Sequence, residues 1–270
     1  MSTTTSSFEA IALPPVAQAP VLGVPLAVTD YERTLDWIDA AVALQAREYL
    51  CVAAVHTVME SREDAALRDA VDGAAFTVPD GQPLAWALRK LGHDIDARVY
   101  GPELMARACA RAERNGQRFY LYGGRSEKAL AQLAANLLDR HPGLQLAGGW
   151  SPPFRDLSEL ELDEVAARIN AARPDVVWVG IGVPKQEKWM AAMRDRLDAP
   201  VLVGVGAAFD FHAGLIPQAP AWMQQRGLEW LFRLAQEPGR LWRRYARHNP
   251  RFLAGFARQW ATDRRGRGWR

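Results

Sequence analysis

Cysteine is scarce in this chain. Cys51 and Cys109 are the two present among 270 residues, and no C-x-x-C occurs. That excludes a disulfide framework and a cysteine-based zinc site, and it fits a reducing compartment. Long apolar runs are also absent, so no segment reads as a transmembrane helix. The first twenty residues are Ser/Thr-rich and then Pro/Ala-rich. They lack the basic start and apolar core of a signal peptide and are expected to form a mobile leader. His56, His93, His141, His212 and His248 are scattered, with no H-E-x-x-H, so no metal site is expected. There is no G-x-S-x-G elbow, no P-loop and no G-x-G-x-x-G. No internal repeat is present.

What is there is an uneven distribution of charge. The net charge of +2 hides a basic C-terminus: residues 226–270 hold twelve arginines, no lysine and three acids (Glu229, Glu237, Asp263). That segment carries +9 and the remainder −7. Phosphate, lipid head groups and nucleic acid are the anionic partners such a tail suits.

Asp175 to Trp189 organises the reading of the rest. Val176 to Ile181 is a continuous apolar run of strand length, suited to a parallel strand covered on both faces. Gly182 and Pro184 break it, and Lys185 to Met193 reads as a helix. Polar side chains and helix N-terminal N–H groups thus gather beyond a strand's carboxyl end, where open α/β sheets bind ligands. A solvated first turn is the plainer reading of the same residues.

Strands and helices alternate along the rest of the chain. Val21 to Val28 is expected as a first strand, followed by an Asp30-capped helix to about Gln45. Tyr49 to Val55 reads as a buried strand, His56 to Ala70 as a helix, and Ala74 to Val78 as a strand entering Pro79-Asp80-Gly81. Helices are expected from Leu84 to Leu91 and from Pro102 to Arg114. Arg118 to Tyr122 reads as a strand ending in Gly123-Gly124, before a Ser126-led helix. Gln145 to Ala147 reads as a strand, Gly148 to Phe154 as a loop and Ser158 to Ala172 as a helix. Pro200 to Val205 reads as a strand with Gly206 to Gly214 as its exit loop. Trp222 to Ala235 and Gly239 to Trp260 read as helices. The pattern predicts an α/β fold: a Rossmann-like, largely parallel sheet with helices on both faces, plus an Arg-rich helical appendage. The expected divisions are a leader at 1–20, a core at 21–221 and the appendage at 222–270.

Asp80 is the candidate base. It follows a buried strand, and Gly81 leaves room for a ligand, although an Asp-Gly turn is common on any surface. Arg98, just before a helix start, suits a phosphate or is a surface arginine. Gly124 lies in a Gly-rich turn that could cradle phosphate, and Asp210 suits a sugar hydroxyl or a loop cap. His56 and Thr57 end a strand and either line the same cleft or are satisfied structural residues. Arg240, Arg243, Arg244 and Arg247 recur on one helical face with Trp242 and Tyr245 beside them, a pattern suited to a membrane surface or to capping an anion site.

These pieces resemble the WecG/TagA/CpsF glycosyltransferases, glycosyltransferase family 26. The likeness runs from about Val21 to Arg247. It is carried by Pro79-Asp80-Gly81, Arg98-Val-Tyr-Gly101, Phe119 to Gly124, Gly180-Ile-Gly-Val-Pro-Lys-Gln-Glu187, Gly204 to Gly214, and Gly227-Leu-Glu-Trp230 to Arg233. The resemblance implies an inverting, metal-independent transfer without a cofactor. The sugar would come from a UDP-sugar and pass to a polyprenyl-diphosphate-linked acceptor on the cytoplasmic face of the membrane. It implies Asp80 as base, and Arg98 and Gln186 as residues that bind the donor or help position it. It places Arg233, Arg240 and Arg243 on the acceptor diphosphate or the anionic membrane surface. Where the family usually has Asn after the second strand, this chain has Ala54, so His56 or Thr57 would supply that contact or it would be missing. The chain stands nearer the exopolysaccharide branch of the xanthan-type glucosyltransferase GumM than the ManNAc-using branches.

Other function classes predict other features. A nucleic-acid binder would spread its basic residues with stacking aromatics over a sheet or groove, whereas here the charge is terminal. A Rossmann oxidoreductase would carry the missing glycine fingerprint, and a membrane scaffold would lack turnover.

Overall fold

The computed structural model describes residues 12–267; the side chains at 221, 225, 240, 266 and 267 lie outside that description. Most of the expected leader, residues 1–11, lies outside it as well. The chain then enters a strand at β1, Gln18–Val21, which pairs antiparallel with β2, Val24–Ala27. The single strand expected from Val21 is therefore the return of a hairpin. Its turn residues Leu22 and Gly23 both have positive φ (52° and 85°), as a two-residue hairpin turn requires. Leucine is an unusual residue for that conformation, which hid the turn.

The main sheet has six parallel strands in the order β4-β3-β8-β7-β5-β6. They are β3 (Glu48–Ala53), β4 (Phe76–Pro79), β5 (Arg118–Gly123), β6 (Gln145–Trp150), β7 (Val176–Gly180) and β8 (Val201–Gly204). Alternate side chains feed two cores. Leu50, Val52, Phe119, Leu121, Trp178 and Val203 face the helices α1 (Tyr31–Ala43), α5 (Gly101–Asn115) and α6 (Glu127–Arg140). Tyr49, Cys51, Tyr120, Tyr122, Val177 and Leu202 face α7 (Glu159–Ala172) and α8 (Lys185–Met193). Both faces are covered, which is why the strands read as unbroken apolar runs. The expected parallel α/β architecture is what the chain forms.

Some boundaries differ from expectation. The helix expected from His56 to Ala70 is two, α2 (Val55–Glu60) and α3 (Ala65–Asp72), because Asp64 caps a new start by accepting from the Leu67 N–H at 3.0 Å. α4 (Gln82–Lys90) follows β4. The loop expected from Gly148 begins later. β6 continues through Gly148, Gly149 and Trp150, its register against β5 shifting at Ala147, between the pairs Phe119–Leu146 and Tyr120–Gly148. A Cβ at Gly148 would come 3.0 Å from the Tyr120 ring, so the glycine admits that ring and does not end the strand. The loop after β8 contains a short helix, α9 (Ala208–His212). The C-terminal segment forms α10 (Ala221–Gln225), α11 (Glu229–Gln236) and α12 (Pro238–Arg267). Gly227, with φ 70°, divides the first expected helix in two, and Pro250 lies inside the long one.

α12 is packed onto the core. It lies along α2, and buries Leu241 and Phe252. Near its end Gln259 accepts from the Leu22 N–H at 2.8 Å and donates to the Pro20 carbonyl at 2.7 Å, tying it to the hairpin.

One close approach positions the site. A Cβ on Gly180 would fall 2.5 Å from the Phe209 ring. Phe209 is buried and immediately precedes Asp210. Gly180→Ala is expected to cost about 1–3 kcal/mol through overpacking. A thermal melt indistinguishable from the parent would show that the ring has room to move.

Candidate active site

The strands deliver the site from their carboxyl ends. β3 runs into Ala54 and His56, β4 into Asp80, β5 into Gly124 and Arg125, β7 into Gln186, and β8 into Gly206 and, through α9, Asp210. With Arg233 of α11 and Arg244 of α12 they line a cavity of about 690 Å3. Its position and size suit a small-molecule ligand.

Asp80 is fixed from both sides. Its N–H donates to the Ala53 carbonyl at 2.8 Å, and the preceding Pro79 carbonyl accepts from Val99 N–H at 2.9 Å. Its Oδ1 accepts from the N–H of Gly101, the first residue of α5, at 2.7 Å. Burial pushes the carboxyl up to about 6, with Arg98 opposing that rise and Glu229 adding to it. Such a group is ionised at neutral pH yet basic enough to take a proton.

Arg98 stands behind Asp80 and is not on the cavity wall. Its Nη1 is 3.4 Å from the Asp80 carbonyl oxygen, its guanidinium carbon lies 4.3 Å from the Tyr100 ring centroid, and its Nη2 pairs with the buried Glu229. The geometry makes it a brace between the Asp80 turn and α11. Removing one member of a buried pair strands the other charge, so Glu229→Ala is expected to cost about 3 kcal/mol. A urea midpoint equal to the parent's would show that the pair does not hold α11 in place.

Gln186 and Glu187 are both buried in the first turn of α8. The Gln186 Nε2 donates to Glu187 Oε1 at 2.9 Å, while Gln186 Oε1 and Glu187 Oε2 have no partner among the described residues. Burial pushes the Glu187 carboxyl up to about 7, the Gln186 bond opposing. On the other side Arg125 donates from Nε to Asp210 Oδ1 at 3.0 Å and from Nη2 to Glu237 at 3.4 Å. Asp210 thus lines the cavity already bonded to a guanidinium. Gly124, with φ 92°, turns the chain beside it.

Arg233 enters the cavity over the Phe211 ring, its guanidinium carbon 5.6 Å from the centroid, and its buried Nε has no hydrogen-bond partner among the described residues. His56 also lines the cavity; burial, then Arg244 and Arg233, hold its imidazole well below the ordinary range, so it is neutral. Thr57 is elsewhere: it is buried, and its hydroxyl accepts from the Ala54 N–H at 3.3 Å. Arg243 is exposed outside the cavity, with its guanidinium carbon 5.5 Å from the Trp242 ring centroid. The side chain of Arg240 lies outside the described residues. Arg247 is on the surface, bonded to Glu63 at 2.7 Å. The single arginine face expected of α12 is therefore divided between the cavity, which takes Arg244, and the surface, which takes Arg243 and Arg247. Glu229, Glu187 and Arg244 were not singled out as site residues, although Glu229 lies within Gly227-Leu-Glu-Trp230 and Arg244 on the arginine row.

The sequence model of the WecG/TagA/CpsF glycosyl transferase family matches residues 19–266. The chain belongs to this family. Three relatives carry the name N-acetylglucosaminyldiphosphoundecaprenol N-acetyl-beta-D-mannosaminyltransferase. The one from Bacillus spizizenii is 30% identical over 174 residues, 64% of this chain and 65% of that protein. The one from Bacillus subtilis is 28% identical over 176 residues, 65% and 66% of the two chains. The one from Staphylococcus aureus strain MW2 is 27% identical over 233 residues, 86% and 88%. The chain thus spans just under two-thirds of the Bacillus relatives and most of the Staphylococcus one. In this WecG/TagA/CpsF member the blocks that carry the likeness converge: Asp80, Gln186, Asp210 and Arg233 line one cavity. Among the described residues no helix is long and apolar enough to cross a membrane.

Proposed function

We propose that the protein is an inverting glycosyltransferase, independent of metal. It moves a sugar from a UDP-sugar, of the UDP-glucose or UDP-ManNAc type, to a polyprenyl-diphosphate-linked acceptor for a cell-surface polysaccharide. One observation carries this: a half-buried carboxylate, Asp80, shares a single cavity with the guanidinium groups of Arg233 and Arg244. Asp80 takes the proton of the acceptor hydroxyl as its oxygen bonds to the anomeric carbon. The bond from that carbon to the UDP oxygen breaks on the opposite face, and the electron pair leaves with the diphosphate. Arginines and the N–H groups at the start of α8 stabilise the charge that builds there.

The relatives' names favour ManNAc, whereas the likeness to the GumM branch favours glucose. Ala54 supplies no amide and Thr57 points inward, so His56 is the polar side chain from that turn on the cavity wall. The exposed Trp222, Trp230, Leu231 and Trp242, with Arg243 nearby, suit peripheral attachment to the anionic inner face of the membrane. The test offers a panel of UDP-sugars with a lipid-diphosphate acceptor and measures product and UDP release, with and without a chelator. One donor is expected to dominate, unaffected by chelation. No consumption of any UDP-sugar would refute the transferase reading, and arrest by the chelator would refute metal independence.

A further inference from the structure

Glu187 has no role in the mechanism above, yet it is a fully buried carboxyl one residue from the cavity wall. Its Oε1 holds Gln186 Nε2 at 2.9 Å, and its Oε2 meets no donor among the described residues. The titratable groups that bear on it are Glu60 of α2 and Cys51 of β3, and neither supplies positive charge. The adjacent lysine, Lys188, is turned away and bonded to Asp64 at 2.6 Å. A buried carboxyl without a cation beside it is a burden on the fold, so its position asks for a compensating use.

The neighbouring amide supplies one. The bond to Glu187 Oε1 turns the amide NH2 of Gln186 toward Glu187 and leaves the amide oxygen facing away. Glycines make the room: a Cβ on Gly204 would lie 3.2 Å from Gln186 Nε2, and one on Gly206 would lie 3.2 Å from Gln186 Oε1. Gly206 and Gln186 both line the cavity, and the amide oxygen is buried with no partner among the described residues. An acceptor so placed is satisfied when a ligand brings a donor to it.

Resting on the donor-binding reading of the cavity, we infer that Glu187 is a positioning residue: it locks the Gln186 amide so that the amide oxygen accepts a hydrogen bond from an N–H or O–H group of the nucleotide sugar. Without Glu187 the amide rotates between two orientations, and one presents NH2 to a group that also donates. The loss is expected in binding of the donor, not in the chemical step.

The experiment compares Glu187→Met, Glu187→Gln, Gln186→Ala and the double variant Gln186→Ala/Glu187→Met. Donor KM and kcat are measured, with Kd for UDP and for UDP-sugar by calorimetry. Glu187→Met is expected to raise donor KM about tenfold, the scale of one hydrogen bond, with kcat within about threefold. Glu187→Gln keeps an acceptor for the amide and is expected to stay within about threefold of the parent. The double variant is expected to match Gln186→Ala, because Glu187 acts through Gln186. A KM unchanged in Glu187→Met, or losses that add in the double variant, would overturn the inference. If Glu187→Met does not melt cooperatively, Glu187→Asp, with its shorter reach, is judged by the same criteria. Equal weakening of UDP and UDP-sugar places the bonded group on the nucleotide; weakening of UDP-sugar alone places it on the sugar. A parent protein that consumes no UDP-sugar defeats the transferase reading instead, so the two failures are distinct.

Discussion

Asp80→Asn is expected to lower turnover about 1,000-fold, within the range set by losing a positioned base, while UDP-sugar binding survives. The amide keeps an oxygen for the Gly101 N–H, so the turn at the end of β4 is retained. The parent's kcat/KM should rise about tenfold per pH unit up to about 6, where the Asp80 carboxyl titrates, and level off above it. The variant's residual rate should lack that limb. Stability should move the other way. The folded carboxyl titrates at about 6 against 3.8 for the ordinary group, so the folded protein holds its proton through that window and the unfolded chain does not. Stability therefore falls as pH rises from about 4 to 6 and carries the full penalty above. Asp80→Asn removes a cost of roughly 2–3 kcal/mol at neutral pH, which is worth several degrees of melting temperature. An inactive variant that melts higher than its parent fits a buried base. One that keeps full turnover removes Asp80 from the chemistry.

The α/β architecture was legible because the sheet is buried on both faces: Val176 to Val179 and Val201 to Val203 contact protein on each side, so their apolar runs are unbroken. Asp80, Gln186 and Asp210 were legible for a related reason, since each follows such a run at the edge where ligands bind. What local pattern could not give were long-range partners. Arg98 reads as a surface or phosphate arginine until Glu229, 131 residues away, is folded onto it. Thr57 reads as cleft-facing until its hydroxyl is seen capping its own helix. In α12 the row Arg240, Arg243, Arg244 and Arg247 is one face by spacing, yet the turn after α2 claims Arg247 through Glu63 and the cavity claims Arg244. Helical periodicity fixes which side chains lie together, not which neighbour each will meet.

Arg233→Ala is expected to lower kcat about 100-fold or more, the scale of losing one preorganised donor to a developing anion. Two features of its setting support a loss of that size. The guanidinium reaches the cavity over Phe211, and its buried Nε has no hydrogen-bond partner among the described residues, so it is shaped to meet an incoming anion. Its backbone is held by α11, which the Arg98–Glu229 pair fastens to the turn bearing Asp80 itself. Base and guanidinium are thereby mounted on one braced unit, so electrostatic stabilisation requires little rearrangement as the diphosphate departs. Arg233→Lys keeps the charge but not the planar fork and should recover part of the rate. UDP affinity should fall less than kcat, because charge on the diphosphate grows as the glycosidic bond breaks. Equal losses in UDP affinity and in kcat/KM, with kcat preserved, would assign Arg233 to ground-state binding and leave the leaving group to Arg244 and the α8 N-terminus.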